Sequence, residues 1–338
     1  MNDLTRPRRF DLIGLGECMV EFHAEEPLTH AKTLQRGFGG DVLNALVALQ
    51  RLGGQAGFIT RVGNDPFGAG LLQGWQDEGV DISQALTQPG ENGVYFISVA
   101  ADGEREFTYR RQGTPASHMQ PSDLDSHYLA SAHWLLLSGI TQALSPSARA
   151  TTLEAARIAQ AHGVKIAYDP NYRPRLWASQ GGEAAARAAF DEIAPLAEWL
   201  LPSHPADALL LGEVERELLE ESVDAGFALA GRFAERARNV ALKCGAHGCI
   251  LAGSGPARHV PGAVAAKVLD TTGAGDLWNG SFLFYLQRGS ASFDAAAHAN
   301  RLAAAKLAYR GAIPPISSVG RNAGPAAGPA AGPATGGA

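Results

Sequence analysis

Val268-Leu269-Asp270-Thr271-Thr272-Gly273-Ala274-Gly275-Asp276-Leu277-Trp278-Asn279-Gly280 is the stretch on which the reading of this 338-residue chain turns. A strand-like end runs into a glycine turn and then into a helix that opens near Asp276. Glycine accepts backbone angles and close approaches that a Cβ forbids. Successive N–H groups at Gly273 and Gly275 can therefore point into one concavity, where the helix offers the positive end of its dipole. That concavity is an anion hole. Asp276 stands at its lip, where a carboxylate either caps the helix or takes a proton from a hydroxyl attacking a phosphorus beside the hole. Short glycine motifs occur in many unrelated turns, so the surrounding sequence must decide.

Working outward, helices are predicted at 277–287 and 293–309, and upstream the chain alternates. Strand 135–137 precedes a helix opening at Ser145-Pro146, and 164–168 precedes 183–193. Strand 199–201 precedes a short helix, and a helix at 227–236 leads to strand 240–244. This alternation predicts a three-layer αβα domain, with a mostly parallel sheet and ligands at the carboxyl ends of its strands. Strand 10–15 ends in Gly14-Leu15-Gly16, but Met19 replaces the third glycine of a dinucleotide fingerprint and 18–23 continues as strand, which argues against that use. In Phe38-Gly39-Gly40-Asp41-Val42-Leu43-Asn44, Asp41 is predicted to cap a helix with Val42, Leu46, Leu49 and Leu52 on one face, ending at Gly53-Gly54. Asn44 in its first turn is either a surface amide or, with Gly39 and Gly40 leaving N–H groups open, a receptor for a ligand's hydroxyls. After strand 56–62, Asp65-Pro66 is expected to start another helix. Strands 93–100 and 105–111 flank Ala101-Asp102-Gly103-Glu104, a hairpin that cannot bury both faces and is predicted to project as a lid.

Composition sets the limits. With 46% hydrophobic and 18% charged residues the chain can bury the core of one large α/β domain. The net charge of −6, without a basic block, argues against a nucleic-acid or membrane surface. No apolar run of spanning length and no signal pattern occur, so a cytoplasmic protein is expected. Cys18, Cys244 and Cys249 form no C-x-x-C pair and read as buried reduced thiols, and the ten histidines show no metal-ligand spacing. The expected organisation is a single domain over 10–315, a lid from about 17–37 and 91–113, and a flexible Ala/Gly/Pro tail over 320–338.

Together these motifs resemble the ribokinase/PfkB family of sugar kinases over roughly residues 10–315. The resemblance rests on the early signature, Gly39 to Asn44 with Arg51-Leu52-Gly53 and Arg61-Val62-Gly63-Asn64-Asp65-Pro66-Phe67-Gly68, and on the late one around Asp276. No G-x-x-x-x-G-K-[ST] loop is present. The resemblance implies a ribokinase-like fold, ATP and Mg2+ as cofactors, Asp276 as the base, and Gly273, Ala274 and Gly275 with Asp276 as the cradle for developing charge. Asp169-Pro170-Asn171-Tyr172-Arg173-Pro174-Arg175-Leu176-Trp177 looks like the segment of the ketodeoxygluconate-kinase branch and of some fructokinases, and Tyr109-Arg110-Arg111 looks like the Tyr-x-Arg of the former. By that likeness Tyr95, Tyr109, Arg111 and Arg173 surround a small sugar acid, Gly39, Gly40 and Asn44 hold its hydroxyls, and its terminal 6-hydroxyl is phosphorylated. Two arginines suit a planar carboxylate and would be poorly compensated around a neutral sugar. Ser203, Lys243, Gly245, Gly248 and Asn300 fall at the nucleotide positions. Ser203 and Ala206 replace the family's Asn-x-x-Glu, with Asp207 beside them as a partial substitute, which leaves the magnesium shell unassigned. Asp270 and Thr272 match a monovalent-cation site, implying K+. Alternatives of the same scaffold are a fructokinase and a sugar-binding regulator without catalysis. Exposed lid edges favour a homodimer.

Overall fold

Central strands that read as continuous apolar runs need cover on both faces, and the fold supplies it. The computed structural model describes residues 8–99 and 105–315; the hairpin turn at 101–104 and the tail over 320–338 lie outside them. The main sheet comprises β1 (Phe10–Leu15), β4 (Ala56–Gly63), β5 (Asp81–Gln88), β8 (Ala132–Ser138), β9 (Lys165–Asp169), β10 (Trp199–Leu200), β11 (Val240–Lys243), β12 (Gly248–Ala252) and β13 (Arg258–Pro261). Its order is β13-β12-β11-β10-β9-β8-β1-β4-β5, parallel except for the pairs made by β12. A second sheet has the order β3-β2-β6-β7, from β2 (Met19–His23), β3 (Gln35–Gly39), β6 (Val94–Val99) and β7 (Arg105–Arg110).

Strand alternation divides the core. Leu135 and Leu137 of β8 point to one face, where Phe190 of helix Gly182–Ile193 and Phe233 of helix Val223–Ala234 pack. Trp134 and Leu136 point to the other, where they join Leu43 and Leu46 of helix Asp41–Arg51 and Trp278 and Phe282 of helix Ala274–Gln287. The αβα architecture expected from the alternation is present. The three cysteines are buried free thiols; burial pushes Cys244 up to about 12 and raises Cys18 and Cys249 as well.

Several local expectations need correction. Gly40, not Asp41, occupies the N-cap position, and Asp41 is the first helical residue, with its carboxylate turned toward Ser138 and Asn171. The next helix opens at Gly68, later than expected, although the Asp65 carboxylate does accept the N–H groups of Phe67 and Gly68 ahead of it, as a cap would, and that of Asn92 as well. β3, β5 and the β12–β13 hairpin escaped the sequence reading, since each is short or only half-buried and the hairpin lacks the intervening helix that the α/β pattern leads one to expect.

The two helices that carry the diagnostic motifs cross in direct backbone contact. A Cβ on Gly280 would lie 2.0 Å from the Ala45 carbonyl oxygen, so only glycine lets helix Ala274–Gln287 press against helix Asp41–Arg51. Gly280→Ala must push them apart. We expect a loss of about 1–3 kcal/mol in urea denaturation, and a fall in turnover of about tenfold or more because that crossing sets a catalytic contact described below. Unchanged stability and turnover would show that the crossing is compliant.

Candidate active site

Polar residues close three of the parallel strands: Ser138 ends β8, Asp169 ends β9 and Lys243 ends β11. In an open α/β sheet this is the edge where ligands bind. Lys243 Nζ lies 2.7 Å from Asp169 Oδ2 and 3.1 Å from Asn279 Oδ1, and Asn279 Nδ2 donates to the same Asp169 oxygen at 2.6 Å. All three side chains are buried. A buried ion pair needs its remaining donors and acceptors satisfied, and Asn279 does this from the first turns of the diagnostic helix. Asn171 N–H donates to Asp169 Oδ1 at 3.1 Å, while its side chain donates to Asp41 Oδ2 at 3.1 Å, alongside the Ser138 hydroxyl. Asp41 Oδ1 is buried without a hydrogen-bond partner.

Asp276 lies above this network. Burial pushes its carboxyl up to about 7, with the negative charges of Asp41 and Asp169 adding to the rise and Asn44 and Lys243 opposing it. Asn44 Nδ2 donates to Asp276 Oδ2 at 2.8 Å, and Asn44 Oδ1 faces the Gly40 N–H at 3.4 Å. Asn44 is thus neither a surface amide nor a free receptor for hydroxyls; it orients the carboxylate. Gly273 has φ 74°, and a Cβ there would meet the Ala312 carbonyl at 2.7 Å. The Ala274 N–H turns back to the Thr271 carbonyl at 3.2 Å. Among the described residues the N–H groups of Gly275 and Asp276 donate to no protein acceptor, and nothing lies within 4 Å of a Cβ built on Gly275. The Gly273 N–H likewise has no protein acceptor among them, so three of the four N–H groups expected from sequence remain open to an anion and only that of Ala274 is turned back into the loop.

The second sheet bears on this edge from above. Tyr95 and Tyr109 stack with centroids 5.9 Å apart, and the charges of Arg173 and Asp276 both act on the Tyr109 hydroxyl. Tyr95, expected to face a substrate, is buried and gives its hydroxyl to Glu21. Arg111 ion-pairs Glu17, a residue the sequence reading passed over, and its guanidinium is pushed down to about 10 by burial and by Arg173 nearby. Arg173 differs: it is exposed, and its side chain has no hydrogen bond or ion pair among the described residues. Gly39 and Gly40 serve close packing, since Cβ atoms there would lie 2.5 Å from the Tyr95 hydroxyl and 2.0 Å from the Glu17 carbonyl.

The residues expected around a nucleotide separate into two groups. Ser203 follows β10 beside Lys243, and Gly245, φ 55°, is open in the turn after β11. Gly248 instead packs on β13, where a Cβ would sit 2.2 Å from the Val260 carbonyl. Lys243 is locked to Asp169, and the Asn300 amide is filled by Trp278 Nε1 at 2.7 Å and by the carbonyls of Val260 and Pro261. Both side chains are thus held by protein partners at the edge of the site. Asp207 cannot replace the missing Asn-x-x-Glu carboxylate, because it is buried, raised to about 6 by that burial, and accepts the N–H groups of Tyr172 at 2.7 Å and Ser203 at 2.6 Å. Asp270 accepts the N–H groups of Thr272 at 2.8 Å and Gly311 at 2.9 Å and ion-pairs Arg105 of β7.

An anion cradle with a partly buried, raised carboxylate beside it, set at the strand ends under a small second sheet, is an arrangement for moving a phosphoryl group to a hydroxyl. Comparison with known proteins gives the same class. The pfkB family carbohydrate kinase model matches residues 11–318. The 2-dehydro-3-deoxygluconokinase of Escherichia coli K12 is 34% identical over 318 residues, covering 89% of this chain and 96% of that protein. A crystal structure of a PfkB protein from Polaromonas sp. JS666 superposes with a TM-score of 0.75 at 30% identity, covering 88% and 96% of the two chains. That of 2-dehydro-3-deoxygluconokinase from Thermotoga maritima gives 0.80 at 20% identity over 92% and 98%, a likeness of fold. The chain belongs to the pfkB family of carbohydrate kinases.

Asp276→Asn tests the raised carboxylate in two ways. Turnover should fall by about 10²-fold or more, since the amide cannot take a proton, and the wild-type rise in kcat/KM through about pH 7 should disappear. A carboxyl whose native pKa lies above its unfolded value binds protons more tightly when folded, so wild-type stability falls as pH rises between the two values. The variant should therefore gain melting temperature relative to wild type at pH 8 but not at pH 4. Full turnover in the variant would remove Asp276 from the role of base.

Proposed function

We propose that this kinase transfers the γ-phosphoryl group of ATP to the terminal 6-hydroxyl of 2-keto-3-deoxygluconate. The observation that carries the choice of a sugar acid is Arg173. Of the two neighbouring arginines, Arg111 is already matched by Glu17, whereas Arg173 is left without a protein counter-charge among the described residues, beside Tyr109 and at the mouth of the site. An exposed guanidinium in that position suits a substrate carboxylate, which its planar fork can hold with two hydrogen bonds. Relatives at 30% identity or more over at least 79% of this chain, among them those of Escherichia coli K12, Dickeya dadantii and Bacillus subtilis, carry the name 2-dehydro-3-deoxygluconokinase, which supports the same reading.

In this account Asp276 accepts the proton of the attacking hydroxyl, and Asn44 keeps the carboxylate turned toward it. Asp41 Oδ1, buried and unpartnered, is the acceptor for a second sugar hydroxyl. The N–H groups of Gly273, Gly275 and Asp276 stabilise the charge that develops on the transferring phosphoryl, and Ser203 and Gly245 border the nucleotide at the ends of β10 and β11. Magnesium supplies charge neutralisation on the phosphates. It would travel with ATP, since among the described residues no group of three or more His, Cys, Asp or Glu is arranged to hold a metal ion. The second sheet acts as the lid that excludes water, and the exposed Phe107 and Tyr109 on its edge strand β7 favour a homodimer through it. Among the described residues no helix is long and apolar enough to cross a membrane, and dependence on ATP fits a cytoplasmic enzyme.

Coupled ADP release with ketodeoxygluconate, its galacto epimer, fructose and ribose side by side should give the highest kcat/KM for the ketodeoxy acids. Arg173→Met should raise KM for ketodeoxygluconate at least tenfold, as loss of a charge-assisted pair of about 1.5–3 kcal/mol requires, and Arg173→Lys should recover only part of it. Fructose as the best substrate, with an unchanged KM in the Met variant, would replace the sugar-acid reading by a fructokinase.

A further inference from the structure

The Asp270–Gly273 segment leads directly into the anion cradle, and the family resemblance places a monovalent cation on Asp270 and Thr272. Of these two residues Thr272 keeps a buried hydroxyl oxygen without a partner, but Asp270 is already engaged and a protein cation stands against it. Lys306, at the end of helix Ser292–Lys306, is fully buried, and its Nζ donates to the Asp270 carbonyl at 2.9 Å and lies 3.9 Å from Asp270 Oδ1. The Asp270 carboxylate is filled by the Thr272 and Gly311 N–H groups and by Arg105. The residue after Lys306 holds the same segment from the other side, since the Leu307 carbonyl accepts the N–H groups of Leu269 at 2.7 Å and Asp270 at 3.1 Å.

We propose that Lys306 is a covalently tethered replacement for the monovalent cation, so that the anion cradle is ordered without K+. An ammonium and a potassium ion carry the same charge and both satisfy carbonyl oxygens, but the ammonium comes with the fold and its ordering is part of folding. Unlike an ion shared with solvent, it cannot be diluted away or exchanged for Na+. Its role is positioning: it touches neither sugar nor phosphate and acts through the backbone of Asp270 and the turn at Gly273.

The test does not depend on which sugar is phosphorylated. At constant ionic strength, wild-type melting temperature and turnover should be the same within about twofold in KCl, NaCl and tetramethylammonium chloride, and the protein should bind no Tl+ saturably by 205Tl NMR. Lys306→Met should lose at least tenfold in turnover in tetramethylammonium and regain much of it in KCl, with a rise in melting temperature specific to K+. Saturable Tl+ binding to wild type, or activation of wild type more than about threefold by K+ over tetramethylammonium, would overturn the proposal. So would a Lys306→Met variant with full turnover in tetramethylammonium. The wild-type measurements stand even if the variant does not fold.

Discussion

A partly buried cluster of carboxylates held against a single ammonium is the constraint around which the molecule is arranged. Asp41, Asp169 and Asp276 lie close enough that the charge of Asp169 disfavours ionisation of the other two and that of Asp41 disfavours Asp276, and Lys243 is the cation that acts directly among them. Taking charges out of water is expensive, and removing one partner of such a pair leaves the other uncompensated. The fold answers with amides. Asn279 ties Lys243 to Asp169, Asn171 bridges Asp169 and Asp41, and Asn44 holds Asp276. What is left over after this compensation raises both Asp41 and Asp276, and a carboxyl raised toward neutrality, as Asp276 is, is what a general base working near pH 7 requires.

The larger architecture follows from keeping that cluster in register. Its members come from the ends of β9 and β11, from the starts of two helices, and from the loop after β9, so a shift of any layer separates them. The glycine contact at the helix crossing brings Asn44 to Asp276, although the two are 232 residues apart in the chain. The second sheet is tied to the same region by ion pairs at two points, Arg111 with Glu17 and Arg105 with Asp270. These pairs place its aromatic residues over the site and leave Arg173 facing solvent, where a charged ligand can reach it.

Much of this was legible in the sequence, and the division has a physical cause. The αβα layers and the anion cradle are written in local patterns: alternation of apolar runs, and glycines adjacent to a helix start. The partners of polar side chains are not local. Asn44 read as a hydroxyl receptor, Lys243 and Asn300 as nucleotide contacts, and Tyr95 and Arg111 as substrate contacts, because the residue type suits those roles equally well. Only tertiary contact reveals that Asp276, Asp169, Trp278, Glu21 and Glu17 have already claimed them. A signal for Asp169 and Ser138 did exist. Each is a polar residue closing an apolar strand, at the edge where ligands bind in such sheets. No comparable pattern marks Glu17 or Lys306, whose meaning depends on what the fold brings beside them.

The claim on which the account stands is that the cluster raises the Asp276 carboxyl to near neutrality, and it can be observed without substrate. Carboxyl-carbon NMR titration of the protein labelled at aspartate, compared with Asp276→Asn, isolates the one resonance that the variant lacks. The account expects that resonance to titrate at about pH 7. A midpoint near the ordinary aspartate value of about 3.9 would contradict it, because Asp276 would then be a common solvated carboxylate and the buried cluster beneath it would have no catalytic consequence.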